Sequence, residues 1–343
     1  MDAPKTMFAW QSPASGRGLE ADLVFNTSAP VPPLPKSGPY SLIKVLRASL
    51  NPVDDKVSRS RLVAPILKKP FTPGMDFVGT IVTTTAPDLA KGDLVVGMIN
   101  RLPQHGALAE YVVALPIDLV IPLAPALRPR IDELACCGVA AVTSNSTTAG
   151  LPAGAKVFVN GSSGGVGTFT VQMAKARGLY VVATCSARNA ELVASLGADV
   201  ILDYSQVNIA DALAANVAET GVPFARSIDN VGQEELYYQC HRWMAPGADF
   251  IFIGGAPTVA SVWSQFKMAA LPGILGGGKR KFKTALGGAT PEIFQETVEM
   301  IVDGRVRVIL DGVYEMDRAR EAYKSLHEGR SRGKKVIKVS AEV

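Results

Sequence analysis

Apolar positions change their period partway along the chain. Up to about residue 135 they come in short, β-branched runs: Ser41–Leu50 (SLIKVLRASL), Phe77–Thr83 (FVGTIVT), Asp93–Met98 (DLVVGM) and Leu108–Ala114 (LAEYVVA). Gly and Pro punctuate these runs, which predicts an all-β unit, a partly open barrel. Near residue 137 the pattern shifts. Lys156–Asn160 (KVFVN) reads as a strand buried on both faces, followed by a helix over Gly165–Arg177. Tyr180–Cys185, Asp199–Leu202, Ala225–Asp229 and Asp249–Ile253 continue as strands, with helices over Asn189–Leu196, Val207–Glu219 and Glu234–Met244 between them. Strands alternating with helices predict right-handed βαβ crossovers and a parallel sheet. Pro257–Pro291, which contains Gly276–Lys283 (GGGKRKFK), reads as a loop flanked by short helices. Phe294–Val302 reads as a helix, and Val308–Val339 as short strands around a helix at Arg318–His327.

A chain of 343 residues suits about two domains. The boundaries expected are 1–137, completed by about 306–343, and 138–305. With 48% hydrophobic and 19% charged residues, a sizeable core is available and disorder is not expected. Basic and acidic residues, 35 against 31, nearly balance, so nothing points to nucleic acid as a partner. The start of the chain lacks the pattern of a secretory signal, and no apolar run is long enough to span a membrane. Cys136, Cys137, Cys185 and Cys240 form no CxxC pair, which suits reduced thiols in the cytoplasm. A homodimer is left open.

Asn160–Gly167 (NGSSGGVG) carries the strongest chemical signal, because it follows a strand and opens a helix. Gly161 suits a tight turn, and Gly164 and Gly165 let a pyrophosphate approach the backbone. Gly167 lets helix and sheet pack closely. The helix N-terminus then offers free N–H groups and the positive end of its dipole, with Ser163, Gly164, Gly165 and Val166 nearest the ligand. An NAD site usually places an acid about 20 residues further on, for the ribose 2′-OH. Here the second strand ends in Thr184-Cys185-Ser186-Ala187-Arg188, and Ser186 and Arg188 suit the 2′-phosphate of NADPH. Asp203 falls one strand later and is not expected to face the ribose.

With these residues in place, the chain resembles the medium-chain dehydrogenases/reductases, in their zinc-independent quinone oxidoreductase branch, and within it the reticulon-4-interacting-protein-like reductases. The resemblance runs through Asn51-Pro52-Val53-Asp54, Pro73–Gly79 (PGMDFVG), Lys91-Gly92-Asp93, Gly106–Val112, Gly161–Gly167 and Arg332-Gly333-Lys334. It implies an α/β chain: a Rossmann doubly wound parallel sheet that binds NADPH, plus a GroES-like, partly open β-barrel catalytic domain. It also implies hydride transfer to a small electrophilic carbonyl compound, a quinone or an α,β-unsaturated ketone. A trans-acting enoyl reductase of a polyketide pathway and a non-catalytic NADPH-binding interaction protein are the alternatives. The resemblance places Thr143, Tyr204, Ile253, Arg332 and Gly333 on the cofactor. Asn51 is the expected donor to the developing oxyanion, Lys56 the nearest cation, standing where related reductases carry Tyr, and Asp54 an orienting group. No metal is expected, since Pro52–Asp54 and Gly74–Asp76 stand where zinc enzymes place ligands. His105, His241 and His327 also lack ligand spacing.

Overall fold

The computed structural model describes residues 4–341, apart from 14–15, 61–63, 103, 256–257, 272–274, 276 and 286–287. Pro257 and Gly276, within the stretch read above as a loop, therefore lie outside the described residues. In chain order the strands are β1 (Thr6–Gln11), β2 (Val24–Pro30), β3 (Ser41–Ser49), β4 (Asp76–Thr84), β5 (Leu94–Met98), β6 (Tyr111–Ala114), β7 (Leu119–Leu123), β8 (Lys156–Asn160), β9 (Tyr180–Cys185), β10 (Val200–Asp203), β11 (Phe224–Asp229), β12 (Met244–Phe252), β13 (Lys281–Thr284), β14 (Leu310–Glu315) and β15 (Lys334–Lys338). The described chain divides into two compact units. One comprises Met1–Val142, Ala289–Ile301 and Val308–Val343; the other comprises Thr143–Gly288 and Val302–Arg307.

The first unit is built on a sheet ordered β14-β15-β3-β4-β5-β7, with β6 also pairing β3 and a separate β1-β2 hairpin. β3, nine residues long like β4, is mostly buried and pairs with β15, β4 and β6. Its register against β4 shifts twice, between Leu42 and Ile43 and between Val45 and Arg47. Such bulges bend a strand and let a sheet curl toward a barrel. Ile43, Val45, Phe71, Phe77, Ile81, Val95 and Ile337 fill the inside together with Tyr323 of the helix Ala319–His327.

The second unit carries a parallel sheet ordered β10-β9-β8-β11-β12-β13. Numbered within that sheet the order is 3-2-1-4-5-6, the doubly wound arrangement whose ligands sit beyond the carboxyl ends of the strands. The run KVFVN of β8 is buried at every position, as a central parallel strand must be. Phe158, Phe224, Trp243 and Phe250 pack on one face, with Phe158 and Phe224 edge to face at 6.4 Å. Three elements differ from the sequence reading. Val259–Ala270, in place of a short flanking helix, is one helix of 12 residues, and Lys281–Thr284, read as loop, is the sixth strand. That strand is short, and its lysines alternate outward, which suits an edge. The helix expected over Glu234–Met244 stops at Gln239, followed by a single 3₁₀ turn, and Met244 already begins β12.

Candidate cofactor and catalytic sites

In the second unit, the ends of β8, β9 and β11 are tied together by a buried polar belt. Asn160 donates its amide N–H to Asp229 Oδ1 at 2.8 Å and accepts from the Thr184 hydroxyl at 2.6 Å. Thr184 in turn accepts the N–H of Gly161, and Asp229 accepts the N–H groups of Val231, Gly232 and Gln233. The belt fixes where the glycine loop leaves the sheet. Gly161 has φ +72°, and a side chain on Gly167 would be driven into the Gly161 carbonyl and the Ser162 backbone. Both glycines are therefore required by the chain itself. Gly164 is different: an added Cβ would meet only the Gly161 oxygen, at 3.6 Å. Its lack of a side chain leaves open space at the head of the helix Gly165–Ala176, where no side chain caps the first N–H groups. Ser163, Gly164, Gly165 and Val166 are all half-buried there, and the next four residues are buried.

The other expected cofactor residues of this unit gather around that loop. Ser144 donates to the Val166 carbonyl at 2.9 Å, which puts the turn holding half-buried Thr143 beside the helix head. Asn189 donates to Ser163 Oγ at 3.0 Å, joining the phosphate loop to the end of β9. Ser186 Oγ and Asn189 Oδ1 are buried with no partner among the described residues, and Arg188 is exposed. Tyr204 is exposed, and its N–H donates to the Cys185 carbonyl at 3.4 Å. Ile253 donates its N–H to the Asp229 carbonyl at 2.9 Å. Asn160, Thr184, Asp229 and Asn189 were missed by the sequence reading. Hydrogen bonds from the Ser205 backbone and hydroxyl, from which the main effect comes, and from the Ala187 backbone hold the Asp203 carboxyl below the usual range. The missing side chain at Gly164, the uncapped helix head and the buried Ser186 and Asn189 oxygens without a partner among the described residues fit a dinucleotide.

In the first unit, Asn51, Asp54 and Lys56 share the helix Pro52–Arg59 and its cap. Asn51 is 2% exposed. It donates to Asp76 Oδ2 at 2.8 Å and accepts from Lys334 Nζ at 2.6 Å. Its amide is thus engaged on both sides inside the barrel, which differs from the free donor expected. Asp54 accepts the Asn51 N–H at 2.9 Å and lies 3.4 Å from the Tyr323 hydroxyl. Burial pushes its carboxyl up to about 7, with the charge of Asp76 adding to the rise. Asp76 also accepts from Ser49 and from the Val139 N–H. The motifs around Asn51, Asp76 and Lys334 therefore meet in one buried cluster. Lys56 is half-buried, and burial pulls its ammonium below the ordinary lysine range. Gly333 has φ +101° and no room for a Cβ against Ile309, a backbone requirement, while Arg332 is exposed. Those two belong to the first unit, apart from the remaining cofactor candidates.

Two family models match the chain: an alcohol dehydrogenase GroES-like domain over residues 39–125 and a zinc-binding dehydrogenase over residues 196–337. It is 36% identical to the trans-enoyl reductase pgmF of Aspergillus terreus, covering 98% of this chain and 97% of that one. It is 28% identical to the chloroplast envelope quinone oxidoreductase homolog of Arabidopsis thaliana, covering 98% and 99%. The solved quinone oxidoreductase of Coxiella burnetii superposes with a TM-score of 0.81 at 25% identity, covering 98% and 100%. The chain belongs to the medium-chain dehydrogenase/reductase superfamily, and it is an oxidoreductase that binds a nicotinamide cofactor. The zinc of the second family description finds no donor set here: among the described residues no three His, Cys, Asp or Glu side chains group so as to hold a metal. Cys136 is buried, and burial pushes its thiol up to about 12. Among the described residues, no helix is long and apolar enough to cross a membrane.

Proposed function

We propose that the chain reduces the carbon–carbon double bond of an α,β-unsaturated carbonyl compound, an enone or an enoyl thioester held by another protein. The name of pgmF supports the enoyl form. The first unit serves as the catalytic part and the second as the cofactor part, with bounds that differ from those expected at 138–142, 289–301 and 306–307. NADPH is the preferred cofactor, held by the backbone of Ser163–Val166, by Thr143 and by Ser186 and Arg188 at the 2′-phosphate. Tyr204 and Ile253 flank it, and Arg332 and Gly333 are the further cofactor residues the resemblance implies. Bound NADPH supplies the hydride. The cytoplasm, where thiols such as Cys136 stay reduced, is the compartment that suits it.

The observation that carries this reading is Lys56, a half-buried ammonium with a lowered pKa on the helix that follows Asn51. As hydride adds to the β-carbon, negative charge gathers on the carbonyl oxygen, and a nearby cation stabilises it. The α-carbon then takes a proton, closing the balance of one hydride and one proton per double bond. An ammonium destabilised by burial is a stronger acid than a solvated lysine, so Lys56 serves both needs. Asp54 orients the helix. Lys56→Met lowers kcat roughly 10²-fold while the Kd for NADPH stays constant. An unchanged kcat contradicts the assignment. Reduction of quinones is the second reading, favoured by the quinone oxidoreductases among the related proteins.

A further inference from the structure

The buried cation Lys334 has no part in the reaction described above. Lys334, 3% exposed at the start of β15, donates to the Leu50 carbonyl at 3.0 Å and to Asn51 Oδ1 at 2.6 Å, with Asp76 Oδ2 3.6 Å away. All four residues lie in the first unit. Leu50 and Asn51 are the last two residues before the helix Pro52–Arg59, whose first residue is a proline without an N–H. From inside the helix, Asp54 holds the Asn51 N–H. From outside, Lys334 holds a main-chain oxygen and an amide oxygen of the same two residues. A methionine there would fill the volume without directing either bond, and a buried ion pair contributes little stability over an apolar substitute. What the ammonium adds is direction.

We propose that Lys334 is a positioning residue: by gripping Leu50 and Asn51 it fixes the head of the helix and so the direction in which Lys56, little more than one turn on, presents its ammonium. The proposal rests on the reading of Lys56 given above. The test is a double-mutant cycle on Lys56→Met and Lys334→Met, with kcat and the NADPH Kd measured for all forms. Lys334→Met lowers kcat about 10-fold with the Kd within about twofold, and the double variant is no slower than Lys56→Met alone. Lys56 also changes its acetylation rate by acetic anhydride severalfold in Lys334→Met, read by peptide mass spectrometry. Losses that multiply in the double variant, or an unchanged acetylation rate, overturn the proposal. If Lys56→Met alone keeps its kcat, the reading of Lys56 fails first, and the proposal falls with it. Removing one charge of the buried pair threatens folding, so the cycle is repeated with the Lys334→Met/Asp76→Asn pair in place of Lys334→Met, so that both charges are gone together. The same pattern is expected there, and multiplying losses again overturn it.

Discussion

At the scale of single residues, two side chains report on the chain without any substrate. Asp54 has its carboxyl raised to about 7 by burial. In the unfolded chain it titrates near 4. Between those values the folded state holds a proton that the unfolded state has lost, so stability falls as pH rises from about 4 to about 7 and levels off above. Asp54→Asn removes that slope, and urea unfolding at pH 5 and pH 8 shows it: wild type loses up to a few kcal/mol between the two, the variant far less. Arg188 concerns the cofactor. Only NADPH carries the 2′-phosphate assigned to Arg188, and a charge-assisted bond of roughly 1.5–3 kcal/mol is a 10- to 150-fold preference. Arg188→Ala therefore weakens NADPH and leaves NADH nearly unchanged in fluorescence titrations. Equal weakening of both refutes the assignment.

At the scale of elements, the glycine loop separates two kinds of glycine. Gly167 is demanded by the fold, since a methyl there collides with the Gly161 carbonyl and the Ser162 backbone. Gly164 faces open space. Gly167→Ala consequently lowers the Tm and the cofactor affinity together. Gly164→Ala keeps the Tm within a few degrees but weakens NADPH at least 10-fold, because the added Cβ occupies the room left for phosphate. Calorimetry and titration on the two variants check this, and a Gly164→Ala protein that binds NADPH normally shows the opening to be incidental.

At the scale of the whole molecule, what the sequence made legible follows from how local each signal is. β8 and β9 were readable to the residue because each is a short, mostly apolar run, buried at every position in β8 and at every position but Tyr180 in β9. β13 was not, because an edge strand of four residues with outward lysines looks like a basic loop. The glycine loop was readable from eight adjacent residues, whereas the belt that anchors it joins Asn160 to Asp229, 69 positions apart. Lys334 reaches Asn51 across 283 positions, so the buried state of Asn51 could not be seen in its own neighbourhood. One side chain tests the sheet as a whole: Phe158 lies at its centre, and Phe158→Ala costs about 3–5 kcal/mol in denaturant unfolding. The central claim is the reduction of a conjugated double bond. It is tested most directly by incubating the protein with NADPH and an enoyl thioester, an enone or a quinone in turn, following NADPH loss and product mass. The account predicts NADPH consumed in step with a gain of two hydrogens by the enoyl or enone compound, with NADH far less effective. NADPH oxidation with none of these compounds, or with the quinone alone, would contradict it.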